Sequence, residues 1–144
     1  MQPFTYQGQA TITNINLRAE DHGEEKVPAF DLKLTFTASD ELCAHFDPVL
    51  KAFLYNEQGF IRNKAVRTPL RFDEELDKYE LAINGIELND VTLSRFEVEP
   101  ADGRALRITC NARKVAHDHE SSELHPLLMQ TVEIKLTPQQ ESLI

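Results

Sequence analysis

The residues with the most evident capacity for chemistry lie together late in the chain: His117, Asp118, His119, Glu120, Glu123 and His125. In an extended segment, side chains two apart project to one side. His117 and His119 could therefore reach one ion, with His125 or Glu123 as a third ligand. The setting points the other way, because the segment is strongly polar and runs into Ser121 and Ser122, where imidazoles are expected to be solvated. The expectation is no metal and no cofactor, with His117, His119 and His125 as the candidate ligands if an ion binds.

Nucleophilic catalysis has less to offer. The sequence contains no GxSxG, and the phosphate-cradling GxGxxG and GxxxxGK[ST] loops are missing. Cys43 and Cys110 are far apart, form no CxxC, and sit among apolar neighbours. Both read as reduced core residues. Carboxylates are paired in Asp21–Glu25 and Asp73–Asp77, but in runs of charge that water would solvate, whereas a general acid needs a carboxyl shifted by burial. The chain is not expected to be an enzyme.

Charge leaves two binding surfaces to weigh. The formal net charge is -9, from 24 acidic and 15 basic residues, which opposes bulk attraction to nucleic acid or anionic membrane. Acid concentrates in Asp73, Glu74, Glu75 and Asp77, a surface suited to a basic protein partner. Between Phe60 and Phe72 the chain instead carries Arg62, Lys64, Arg67 and Arg71 with no acid. Beside Tyr55, Phe60 or Phe72 those four could offer phosphate contacts and stacking to a nucleic-acid single strand. The favoured expectation is a non-enzymatic accessory or inhibitor that binds a protein partner through its acidic surface. The alternative is a single-strand-binding accessory that uses the basic segment.

The stretches FTYQGQATITNINLRAED, PAFDLKLTF and FEVEPADGRALRITC resemble small uncharacterised proteins encoded by tailed phages and prophages. That resemblance implies a bacterial cytoplasm and a partner in a nucleic-acid-handling or defence system. It brings no catalytic residues with it.

The elements that must position these residues follow from hydrophobic period. No apolar run approaches the roughly 18 residues a membrane span needs. The opening MQPFTYQGQATIT has neither the basic nor the apolar region of a cleaved signal. Residues 1–144 are expected to form one domain. Phe30, Leu32, Leu34 and Phe36 alternate with Asp31, Lys33, Thr35 and Thr37, the clearest strand of the chain. Ile12 is out of phase with Ile15 and Leu17, which predicts a bulge near Thr13 and Asn14.

Near residues 40–56, apolar positions at helical spacing are interrupted by Asp47-Pro48, giving one kinked helix or two short ones. Asn84-Gly85 predicts a two-residue hairpin turn with Ile83 opposite Ile86 and Leu81 opposite Leu88, and Asn89-Asp90 then predicts a turn. A three-residue loop at Ala101–Gly103 would set Val98 against Leu106, Phe96 against Ile108 and Glu97 against Arg107. A short helix is expected near 122–130 and a closing strand at Thr131–Thr137, followed by a mobile tail at 138–144. The fold class is α+β, mainly an antiparallel sheet or partly closed barrel of hairpins.

Overall fold

Period-two alternation closes on itself here. The computed structural model describes residues 3–62, 69–117 and 120–139. Strands β1 (Tyr6–His22) and β2 (Glu25–Ser39) form a long hairpin, and β3 (Leu70–Phe72), β4 (Leu76–Ile83), β5 (Ile86–Ala101), β6 (Ala105–Val115) and β7 (Thr131–Pro138) follow. All pairings are antiparallel, in the order β3-β5-β4-β7-β1-β2-β6, and β5 also pairs with β6. That last pairing closes β4, β5, β6, β2, β1 and β7 into a six-stranded barrel, with β3 continuing the line of β4 along β5.

The interior is packed with side chains, as small barrels are. Leu32, Leu34, Leu81, Ile83, Leu88, Leu93, Leu106 and Ile108 are all buried in one cluster. At one end, α1 (Cys43–Phe46) and α2 (Leu50–Leu54) cover the barrel beside an aromatic group in which the Phe4 ring lies 5.2 Å from Phe96 and 5.9 Å from Phe46. These are two short helices, separated where Asp47 accepts a hydrogen bond from Val49 N–H at 2.9 Å. At the other end stands α3 (Glu120–Leu124), continued by a 3-10 turn over His125–Leu127, with Leu124 fully buried.

The bulge expected near Thr13 is present, as a register shift between Ile12 and Asn14. The Asn84-Gly85 turn pairs Ile83 with Ile86 and Leu81 with Leu88, with both turn residues at positive φ (47° and 86°) as a type I′ turn requires. Val132, Ile134 and Leu136 of β7 point inward.

Three expectations are corrected. Asn89-Asp90 does not turn the chain. Asp90 takes φ 57° inside a continuous β5, and its N–H is held by Gln139 Oε1 at 3.1 Å, so the irregularity bends the strand as barrel closure demands rather than ending it.

The late hairpin pairs Val98 with Ile108, Pro100 with Leu106 and Glu99 with Arg107, two residues from the expected register. Its loop is Asp102–Arg104, where Gly103 and Arg104 both have positive φ. Arg104 is fixed in that loop by its carbonyl accepting from Asp40 N–H at 3.0 Å, and Glu99 rather than Glu97 meets Arg107, at 3.0 Å. The apolar face survives, because a shift of two keeps every side chain on its side.

The start of the expected mobile tail is tied down: Pro138 pairs with Tyr79, and Gln139 N–H donates to Lys78 O at 2.8 Å. Residues 140–144 lie outside the described residues. Among the described residues, no helix is long and apolar enough to cross a membrane.

Candidate functional site: a polar groove across four strands

The polar half of each alternation faces outward, and closure of the barrel lines these residues up into rows. One row runs Ser94, Asn111, Lys33, Asn14 from β5 to β1, each paired with the next. A second runs Thr92, Arg113, Asp31, Asn16. A third runs Arg71, Glu97, Thr109, Thr35, starting on β3. The first row, the Arg113–Asp31–Asn16 part of the second and the Glu97–Thr109 part of the third, together with Arg18, Arg95 and the connection Asp73–Glu75, enclose a groove of about 840 Å³.

The acidic connection forms one wall. β3 and β4 lie along the same edge of β5, so residues 73–75 stand beside β5 where its pairing with β6 slips between Ser94 and Glu97. At that slip Arg95 has φ 53°, a conformation unfavourable for a side chain with a Cβ, and is exposed. A bulge of this kind re-aims a side chain, here into the groove.

Part of the charge is matched internally. Arg18 Nε donates to Asp31 Oδ2 at 2.9 Å, and its Nη2 lies 3.0 Å from Glu20. Glu20 is held below its usual range, first by its hydrogen bond with His22. Arg71 meets Glu97 at 3.4 Å, and Glu74 Oε1 accepts from His45 Nε2 at 2.6 Å. Among the described residues, the groove-lining Lys33, Arg95 and Arg113 join no ion pair, nor do Asp73 and Glu75.

The acidic set is thereby divided. Asp73, Glu74 and Glu75 line the groove, while Asp77 sits beyond it and accepts a hydrogen bond from Thr92 at 3.0 Å. The basic set is dispersed too. Arg62 Nε donates to the carbonyls of Ala52 and Tyr55, each at 3.0 Å, closing the end of α2, and Arg71 lies with Glu97. Lys64 and Arg67 lie outside the described residues. Tyr55 is buried with its hydroxyl donating to Ala105 O, and Phe72 packs on Phe46 at 4.8 Å, so of the three aromatics only Phe60 is largely exposed.

His117 and His125 are exposed, and His119 lies outside the described residues. Glu120 is occupied: its Oε1 accepts from His117 N–H at 2.8 Å and from Lys114 Nζ at 2.9 Å. Among the described residues no group of three or more His, Cys, Asp or Glu is placed to hold an ion. Both cysteines are buried and unbridged, and burial pushes the Cys43 thiol up to about 11 and the Cys110 thiol to about 12. Such thiols stay protonated at neutral pH and are poor nucleophiles.

The groove residues to which the sequence assigns no site are Asn14, Asn16, Lys33, Arg95 and Asn111, while Arg113 stands in it only as one of a basic set with Arg104, Arg107 and Lys114. Apart from Arg95, their signal is the polar positions of N-x-N-x-R, D-x-K and T-x-N-x-R, but nothing local says that three separate strands share one face. No protein-family model matches the chain, nor does any curated protein or solved structure.

Proposed function

We propose that this barrel is a non-enzymatic accessory or inhibitor that docks a protein partner in its outer groove, with basic side chains of the partner meeting Asp73 and Glu75. The observation that carries the reading is unmatched charge of both signs around one concavity: Lys33, Arg95 and Arg113 together with Asp73 and Glu75. Ionic and amide groups without exposed aromatic rings suit the side chains of a protein segment better than stacked bases. The resemblance to phage-encoded proteins makes a nucleic-acid-handling or defence system of a bacterial host the expected source of the partner.

The test is capture from bacterial lysate with and without nuclease, repeated with Asp73→Lys/Glu75→Lys. The wild type should retain a protein partner after nuclease treatment. The variant should associate more slowly and with weaker salt dependence, while its melting temperature stays unchanged. Nuclease-sensitive capture, with micromolar binding of a labelled single strand at physiological salt, would overturn this reading.

A further inference from the structure

The β1–β2 hairpin is longer than the barrel that contains it. β7 covers β1 from Tyr6 to Thr11, and Met129 N–H then donates to Ile12 O at 2.7 Å. From Asn14 to His22 β1 is paired with β2 alone, and among the described residues no strand covers its other edge. That is roughly 30 Å of open edge. Native proteins usually guard such an edge with proline, lysine or a short strand. Asn14–Ala19 contains neither proline nor lysine.

The hydrogen-bonding phase of this edge can be derived. The hairpin closes through the two residues Gly23-Glu24, with Gly23 at φ 68°, so His22 and Glu25 form a hydrogen-bonded pair and the pairs alternate from there. The backbone groups of Ile15, Leu17, Ala19 and Asp21 therefore point away from β2. Leu17 is paired with Phe30, which is 1% exposed, yet Leu17 is 64% exposed. The apolar row stops for want of a neighbour.

We propose that a second copy of this chain supplies that neighbour, by antiparallel pairing of the two β1 edges about a two-fold axis at Leu17. In this register Leu17 faces Leu17 of the other copy, Ile15 faces Ala19, Asn16 faces Arg18 and Asn14 faces Glu20. No like charges are directly opposed, and Arg18 is already neutralised by Asp31 and Glu20. The inner row becomes Phe30–Leu17–Leu17–Phe30, and the polar rows of the two grooves meet along Asn14, Asn16 and Arg18. A self-complementary edge of this kind is what an isologous contact requires. The inference is independent of the partner proposed for the groove.

Sedimentation velocity over concentrations up to about 1 mM should show a reversible monomer–dimer equilibrium. Leu17→Lys, which opposes two cations on the axis, should leave a monomer with the wild-type melting temperature. Leu17→Cys should form a disulfide-linked dimer under mild oxidation, since facing Cα atoms of such a pair are about 5.5 Å apart. Val49→Cys, at a position 68% exposed on another face, should not. A wild type that stays monomeric throughout, a Leu17→Lys protein that dimerises normally, or equal cross-linking of both cysteine variants would each overturn the proposal. If Leu17→Lys is found to damage the fold, the cross-linking pair decides the matter.

Discussion

His45 Nε2 lies 2.6 Å from Oε1 of Glu74, linking a residue of the helical end cap to the acidic wall of the groove. His45 is buried against Phe4 and Phe46, at ring distances of 5.4 and 5.0 Å, whereas the Glu74 side chain is 35% exposed. The cap thus positions the wall. Glu74→Ala should lower unfolding stability by about 1 kcal/mol, the modest figure expected when one partner of the bond remains accessible to water. Denaturant melts measure this, and an unchanged midpoint would show that the contact does not hold the wall.

Lys114 gives a larger expected effect. Its side chain is 5% exposed and its ammonium group donates to Glu120 and to Val115 O, at 2.9 and 3.1 Å. Glu120→Ala leaves a buried cation with one carbonyl partner and should cost about 3 kcal/mol, while Lys114→Met/Glu120→Ala together should cost distinctly less. A double-mutant cycle reads the difference. Additive losses would mean that the pair is uncoupled.

Arg95 separates stability from binding. Because φ at Arg95 is 53°, Arg95→Gly relieves a strained backbone and should change stability by less than about 1 kcal/mol, while Arg95→Val should destabilise by about 2 kcal/mol relative to glycine. Both should weaken capture of the partner alike. Retained capture by Arg95→Gly would remove this side chain from the proposed site.

Alkaline pH should destabilise the barrel through its buried acids. Burial raises Cys110 from 9.0 to about 12, Cys43 from 9.0 to about 11 and Tyr55 from 10.0 to about 12. Each folded-state value lies above the unfolded one, so the folded form binds more protons between them. Stability is complete below about pH 9 and declines as pH rises toward 12. Cys110→Val removes one titrating group of similar size, and its melts should fall off less steeply above pH 9 than those of the wild type. Parallel curves would contradict this origin.

Much of the local structure was written in the sequence. Phe30–Thr37 alternates because one face of β2 meets the core. Asn84-Gly85 sets its hairpin because asparagine and glycine accept the positive φ of the turn, and the slip of phase after Ile12 marks a real bulge. Asp47-Pro48 divides two helices: Asp47 ends α1 and Pro48 lies in the turn that precedes α2. These are properties of a few neighbouring residues, and the chain carries them before it folds.

Tertiary structure alone decided which strands meet. The Val98–Ile108 pairing differs from the expected one by two residues, and hydrophobic pattern cannot tell the two registers apart because both keep Phe96, Val98, Leu106 and Ile108 inside. The choice fell to contacts distant in sequence, such as Asp40 with the carbonyl of Arg104. Asp90 likewise lies within β5 instead of ending it, its N–H held by the Gln139 side chain from just past β7. The groove belongs to this second kind of information. Asn14, Lys33, Asn111 and Ser94 form one row only when β1, β2, β6 and β5 are adjacent, and that adjacency is fixed by closing the barrel around a shared core, not by any segment of the chain on its own.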